Sequence, residues 1–460
     1  MKHTKQRLAV HATPQADTPH SSTGFRSRAA GGSLISRRQF IHTSSAGVAI
    51  AASSAAVCGA EPTPLPQRPD AAGAEITTQV DILVVGGGTA GAIAALQAAR
   101  IGAKTFVVER GSQLGGTMTT GGVAFPGLFA AWGKQVIAGI GWELVKECVD
   151  LDGGALPDFA SVPQRHWMHQ VHINPFLYPL LAEEKCQEAG VAIAYYEFPQ
   201  SIATTADGWQ VECVGFGTRR RVLCKQIIDC TGGAEAVGLL GLPRLRETER
   251  QPGSMLYQLS KPTNPGRERL ASLYVHGADS TNSRTVTEAN LTGRREVLKK
   301  VRAEKKRLMQ LQPEASFRES YRIQGETVIT VDDYTTGRVF DDAICFAFYP
   351  VDLHTKSGVT PKPLANGIVP TIPLRALVPK GSRNILVAGR SVSSDRLANS
   401  GLRVQASCMA MGQAAGAAAA LAVAKKTTPR DVPLSELKDM LRKHNAIVPA
   451  GRPTANAAAS

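Results

Sequence analysis

Gln79–Val85 (QVDILVV), followed at once by Gly86-Gly87-Gly88-Thr89-Ala90-Gly91, is the stretch on which the fold turns. A short β-branched run of this kind reads as a buried parallel strand, and the Ala-rich residues that follow, to about Gly102, read as a helix. Strand, G-x-G-x-x-G and helix in that order make a dinucleotide-binding turn. Gly86 permits the tight turn, Gly88 lets the backbone approach a pyrophosphate, and Gly91 lets the helix pack closely on the strand. Thr89 and Ala90 open that helix, whose free N–H groups and positive end suit phosphates. A second strand, Thr105–Val108, ends in Glu109, 18 residues after Gly91, where an acid accepts hydrogen bonds from ribose hydroxyls.

Three further segments follow in order. They are Glu109-Arg110-Gly111-Ser112-Gln113-Leu114-Gly115-Gly116-Thr117 with Gly121-Gly122 behind it, Gln226-Ile227-Ile228-Asp229-Cys230-Thr231-Gly232, and Asn384-Ile385-Leu386-Val387-Ala388-Gly389-Arg390. With the first turn they resemble the signatures of the glutathione-reductase-type flavoprotein superfamily. Glu319–Glu326, Phe348–His354, Ile372–Arg375 and the stretch from Gly389 to Gly416 resemble, more narrowly, the bacterial FAD-dependent oxidoreductase family. That family is similar to the flavoprotein core of the heterodisulfide reductase A-subunit, whose clustered Fe–S cysteines this chain lacks.

The resemblance implies an α/β fold: a Rossmann-type FAD-binding domain, its parallel sheet covered by helices on both faces, with an inserted α+β substrate or cap domain. It implies non-covalent FAD, with Arg110, Gly115, Gly116 and Thr117 passing the diphosphate and ribityl chain. Thr231 and Gly232 form a small-residue turn beside the cofactor, Gly389 and Arg390 follow a strand beneath the flavin, and Phe198 lies near the adenine. A helix from Leu402 to about Lys425, capped by Asn399 or Ser400, would aim its N-terminus (Gly401, Leu402 and on to Gln405) at the flavin pyrimidine. No histidine accompanies Thr117–Thr120, so covalent attachment is not indicated. No second G-x-G-x-x-G and no CxxC follow, so electrons are expected from the substrate rather than from a built-in NAD(P)H domain or a redox disulfide.

At 460 residues, 43% apolar and 20% charged, the chain suits two domains. The expected division is FAD-binding domain at 76–123, 175–242 and 376–430, cap at 124–174 and 243–375, and a C-terminal helix and disordered tail at 431–460. Within the cap, Arg318, Tyr321, Arg322, Asp332, Asp333, Arg338, Asp352, His354 and Arg375 are candidates for substrate contact. Arg375 and His354 are favoured as catalytic, a guanidinium suiting a carboxylate and an imidazole suiting proton transfer. His166, His169 and His172 lie in a connecting segment, and no metal is expected. The eight cysteines show no two separated by only two residues, which leaves no Fe–S or zinc pattern and makes buried thiols the default.

Residues 1–60 hold seven of the basic residues against the single acid Asp17, six of the fourteen net positive charges. Ser36-Arg37-Arg38-Gln39-Phe40-Ile41 precedes an Ala/Ser/Gly-rich stretch from Ala46 to Ala60, the pattern of a twin-arginine leader cleaved after Ala60, with a linker at 61–75. That leader is too short and polar to anchor in a bilayer. It implies the twin-arginine export machinery as a partner and a periplasmic or secreted location. The remaining basic cluster, Arg294–Arg307, sits at helical spacing with few aromatics, a solvated face rather than a nucleic-acid site, with docking to an acidic partner or membrane surface as the other reading. The functional expectation is an exported FAD-dependent dehydrogenase or oxidase that moves a hydride from a small polar, anionic organic substrate to flavin N5, with an unknown electron acceptor. An electron-transfer flavoprotein subunit and a catalytically inactive flavin-binding protein remain as alternatives.

Overall fold

The structure, a computed structural model, describes residues 74–260, 270–359 and 361–450. The expected leader over residues 1–60 and the expected linker up to residue 73 lie outside the described residues, as does the chain from residue 451. In chain order come β1 (Ala74–Gln79), β2 (Ile82–Val85), α1 (Thr89–Arg100), β3 (Thr105–Glu109), α2 (Ile140–Leu151) and α3 (Leu177–Glu188). They are followed by β4 (Ala192–Tyr195), β5 (Phe198–Thr205), β6 (Gly208–Gly215), β7 (Thr218–Cys224) and β8 (Gln226–Asp229). The second half contains β9 (Gly253–Ser260), β10 (Ala271–Val275), α4 (Ser283–Glu304), β11 (Arg307–Leu311), α5 (Val331–Thr336) and β12 (Ile385–Val387), then α6 (Arg396–Leu402), α7 (Gln405–Lys425) and α8 (Leu434–Lys443).

Five strands form a parallel sheet in the order β12-β8-β2-β3-β4. All four residues of β2 and of β8 are buried, as central strands of a sheet covered on both faces must be. The expected strand Gln79–Val85 is in fact two. Gln79 closes β1, which pairs with β7 in a separate four-stranded sheet ordered β1-β7-β6-β5. Asp81 makes the break: its carboxylate accepts from the Lys104 N–H at 2.9 Å and pairs with Lys225 at 2.7 Å, and its carbonyl accepts from the N–H groups of Lys225 and Gln226. A polar side chain with those partners cannot continue a buried strand.

Helix α7 is apolar on every face and long enough by composition to cross a membrane, yet it is buried inside the protein. It lies against α1 with almost no side chain between them. A Cβ at Gly412 would sit 2.2 Å from the Ala90 carbonyl oxygen, and one at Gly416 would sit 2.3 Å from that of Ala94. The two backbones therefore touch, and dispersion over small side chains holds them.

The single helix expected from Leu402 is two helices. Asp395 caps α6 by accepting from the Ala398 N–H at 2.8 Å. Asn399 and Ser400 are inside α6, where Asn399 donates to the Arg390 carbonyl at 3.0 Å and Ser400 accepts from the Asp352 N–H at 3.0 Å. Arg403 and extended Val404 separate the helices, and the Ala406 N–H turns to the Pro126 carbonyl. Gly401 serves packing: its Cβ would fall 2.4 Å from the Tyr334 hydroxyl of α5.

The antiparallel sheet β10-β9-β11 is covered on one face by α4. Met255 and Tyr257 of β9 and Val275 of β10 point to α4 and meet Ala289 and Val297. The alternate residues pair across the other face, Ser254 opposite Tyr274 and Leu256 opposite Ser272. The basic cluster lies on α4 only as far as Arg302, because Lys305 takes φ +48° and Arg307 begins β11. The seven described cysteines are buried free thiols. Beyond α8 the chain packs on the core through Ala446 and Val448.

Gly416→Val drives a side chain into the Ala94 carbonyl and is expected to cost about 3 kcal/mol or more. Thermal unfolding checks this against Ala424→Val on the exposed end of the same helix, which should leave the midpoint within a degree or so of the parent.

Candidate active site

A cavity of about 610 Å³ runs from the glycine turn to the open face of the β9–β10 sheet, a size that suits a cofactor or ligand cleft. Its first end is built by backbone. Gly86 takes φ +94°, and a Cβ there would lie 2.8 Å from the Cys230 carbonyl; one at Gly91 would lie 1.9 Å from the Gly86 carbonyl. Only glycine allows the turn to fold so tightly against β8 and α1. α1 opens with no side-chain cap and no acid in its first turn, which leaves its leading N–H groups and positive end for an anion. Gly88 and Gly116 meet closely, since a Cβ at Gly116 would lie 3.0 Å from the Gly88 Cα. Thr89 ties the two segments by donating to the Gly115 carbonyl at 3.1 Å.

Glu109 ends β3 beside this turn and accepts from Gly87 N–H at 2.7 Å and Gly111 N–H at 2.6 Å. Burial pushes its carboxyl above the ordinary range, against the pull of those two amides and Arg110. Arg110 pairs with Glu235 at 3.5 Å. Arg390 is sunk in the wall, with its guanidinium donating to the carbonyls of Gly232, at 3.0 Å, and Phe317. Among the described residues no carboxylate lies within ion-pair distance of it, and burial pushes its pKa down to about 10. An uncompensated guanidinium, a bare helix N-terminus and a ribose-accepting acid around one glycine cradle fit a dinucleotide diphosphate and ribose. Phe198, Thr117, Thr231, Gly232 and Gly389 line the same end. Asp229 shapes the turn there by accepting from the N–H and hydroxyl of Thr231 at 3.0 and 2.7 Å.

The other end is polar and cationic. Tyr274 of β10 approaches His354 Nδ1 at 2.7 Å, and His354 Nε2 lies 3.0 Å from Asp352 Oδ2. Burial alone would raise the Asp352 carboxyl, but His354, Arg403 and Arg318 outweigh it and hold it below the ordinary range. Burial, helped by Arg318 and Arg403, holds the His354 imidazole below its ordinary 6.5 despite Asp352. Arg318 lies over the Tyr274 ring at 5.1 Å and donates to the Pro252 carbonyl at 2.6 Å; burial and then Arg403 push its pKa down to about 10. Arg403 donates to Gln251 Oε1 at 3.3 Å and to the Asp352 carbonyl at 3.1 Å, while its Nε is buried with no partner. Behind them Glu319 pairs with Arg396 at 3.1 Å and holds Gln251, which in turn accepts from the His354 N–H at 3.0 Å.

Arg318, Asp352 and His354 thus meet in the cavity, while the other favoured residue does not. Arg375 is half exposed, paired with Asp342 at 3.1 Å, and lines a separate open depression with Gln324 and Arg430. It forms an outer ion pair away from the cavity, so the structure does not bring it together with His354 as expected. Gly401 and Leu402 are buried within α6 and do not line the cavity; Arg403, Val404 and Gln405 stand at that position instead. Tyr321 is stacked beneath Arg244 at 4.0 Å, Arg322 pairs with Glu247, and Asp333 of the α5 capping box pairs with Arg338. His169 bonds Ser161, and His172 packs on Phe125.

Two residues at this end of the cavity are not singled out by the sequence reading. Tyr274 was signalled by the period-2 pattern of Ser272 and Tyr274 in β10, the polar set of a strand with one face on a core. Arg403 falls within the expected helix start Gly401–Gln405, but its side chain is not singled out there because the segment reads as one helix.

No curated protein sequence matches the chain. Among solved structures it is similar to an anhydrotetracycline hydroxylase from Streptomyces rimosus at 15% identity, over 80% of this chain and 66% of that one, with a TM-score of 0.44. It is also similar to a geranylgeranyl bacteriochlorophyll reductase-like protein from Thermoplasma acidophilum, at 12% identity over 80% and 84% of the two chains with a TM-score of 0.40. A third is the p-nitrophenol 4-monooxygenase of Pseudomonas putida DLL-E4, at 12% identity over 80% and 87% with a TM-score of 0.39. Residues 81–259 and 245–441 match the family described as FAD dependent oxidoreductase. Those two stretches cover most of the chain, which therefore belongs to that family and is an FAD-dependent enzyme that holds its cofactor non-covalently.

Proposed function

We propose that the protein is an exported dehydrogenase or oxidase that oxidises a small polar, anionic organic molecule at the far end of its cavity. The observation that carries this reading is continuity: one cavity joins the glycine cradle to Arg318, Asp352, His354 and Arg403. When bound, FAD supplies a two-electron acceptor for hydride transfer. The chain's own residues do the rest. Gly86, Gly88 and the start of α1 receive the diphosphate with Arg390, Glu109 accepts from the ribose, and Phe198 flanks the base. The segments 124–174 and 243–375 act as the substrate-binding cap, with β9 and β10 roofing the cavity and excluding water. A wider kinship with glutathione-reductase-type flavoproteins and the heterodisulfide reductase A-subunit belongs to the same proposal. Export rests on the twin arginines and the small-residue stretch before Glu61.

The protein purified with its native cofactor should show flavin absorption that bleaches on anaerobic incubation with one pool of a metabolite library. Flavin that is bleached by dithionite and by no pool would favour the inactive alternative, and protein that stays colourless with added FAD would sink the reading. Glu109→Gln places an amide group against backbone N–H donors and is expected to weaken FAD retention at least fivefold, about 1–3 kcal/mol, read as the flavin-to-protein ratio and by reconstitution titration. Replacing Arg37 and Arg38 together by lysine should leave the protein in the cytoplasmic fraction with its flavin bound; undiminished export would count against the leader.

A further inference from the structure

Hydrogen-bond chemistry gives the Tyr274–His354–Asp352 chain a direction. An ionised Asp352 can only accept, so the proton on His354 is on Nε2, 3.0 Å away. Nδ1 is then a bare lone pair, and the contact at 2.7 Å requires the Tyr274 hydroxyl to donate to it. A phenol whose proton is committed meets a ligand only as an acceptor. Ser400 fixes the Asp352 backbone at 3.0 Å, and Gln251 fixes that of His354 at 3.0 Å, so the chain is held from behind.

The charge around it does not balance. Arg318 and Arg403 share the carboxylate of Asp352, which Arg403 meets at 3.8 Å, while Glu319 close to Arg403 is already paired with Arg396. Among the described residues Arg318 has no carboxylate within ion-pair distance, and Arg403 keeps a buried, unpartnered Nε. A buried cation without its counter-ion is costly unless a ligand brings one.

We propose that the substrate is a monoanionic alcohol whose anion is held by Arg318 and Arg403 and whose hydroxyl proton is received by Tyr274. This rests on the reading that the far end of the cavity takes the substrate. The substrate O–H bond breaks toward the Tyr274 oxygen as the Tyr274 proton moves to His354 Nδ1, leaving an imidazolium against Asp352. The carbon–oxygen double bond forms as the hydrogen on that carbon leaves with its electron pair for the enzyme's flavin, so alcohol becomes carbonyl, two electrons are accepted and one proton is left on His354 for release to solvent. The groups facing His354 are Asp352, Tyr274, Arg318 and Arg403. Because its imidazole protonates below 6.5, it stays neutral as pH falls through that value, and the acid limb of the rate should lie below it.

Three measurements on the FAD-loaded protein test this. In ¹⁵N-histidine NMR, His354 should carry its proton on Nε2, and in Y274F its Nδ1 resonance should move toward that of a free imidazole nitrogen. A proton on Nδ1, or an Nδ1 unmoved in Y274F, overturns the relay. Short 2-hydroxymonocarboxylates, each against its uncharged amide, are titrated by change in flavin absorption. At least one acid should bind about tenfold more tightly than its amide, and R318M should abolish that preference. Equal binding of acid and amide, or no binding across the series, overturns the substrate class. With the binding acid, Y274F should slow flavin reduction about a hundredfold at unchanged flavin content, while acid affinity falls by less than about tenfold; an unslowed Y274F overturns its role. Failure of the wild-type protein to take up FAD would overturn the underlying reading as well, and is distinct from all of these.

Discussion

The contact between the backbones of α1 and α7 is the constraint on which the rest of the molecule depends. Gly412 and Gly416 bring α7 onto the carbonyls of Ala90 and Ala94, while Gly91 brings the other side of α1 onto Gly86 and Cys230. α1 is thus clamped between the parallel sheet and a buried helix with no long side chain to absorb error. Its N-terminus can point only where the sheet ends, which is the mouth of the cavity. The same crossing sets where α7 begins, and so brings Arg403, Val404 and Gln405 to the cavity wall. Close packing is stiff, and here the stiffness fixes the relative position of two helix N-termini.

Between those termini the cavity is electrically uneven. At the glycine end, acids and bases are mixed: Glu109 and Glu235 stand near Arg110 and Arg390, a setting for a ligand that has hydroxyls as well as phosphates. At the roof end two guanidiniums outnumber one carboxylate. Such an excess opposes folding, because burial disfavours every uncompensated charge, and its retention in a cavity wall is the physical ground for proposing an anion there. The Glu319–Arg396 pair and Gln251 stand behind it and hold Arg403 and the His354 backbone in place.

The β9–β10–β11 sheet illustrates how one pattern serves two purposes. Its α4 face carries Met255, Tyr257 and Val275 into a small core of its own. Its other face, polar at Ser254, Ser272 and Tyr274 and apolar at Leu256, closes over the cavity. Substituting either face is felt by the other through the same backbone, so the positions of Tyr274 and of α4 are coupled.

The first strand-turn-helix, Glu109 and the small-residue turn after β8 were legible in the sequence because each depends on a local rule: β-branched runs, glycine where the chain must turn or touch, an acid at a set distance. The family and its cofactor followed from the order of those segments. The break at Asp81, the break at Arg403 and the separation of Arg375 from His354 were not legible, because each is decided by partners distant in sequence: Lys104 and Lys225 for the first, Pro126 for the second, Asp342 for the third. Tyr274 and His354 lie 80 residues apart, and no periodicity joins them. What the sequence determined by itself was the backbone's capacity to bind a dinucleotide, since glycine spacing acts within one turn. What only the tertiary structure decided was which charged side chains share a wall, since that depends on how separate sheets and helices close on one another.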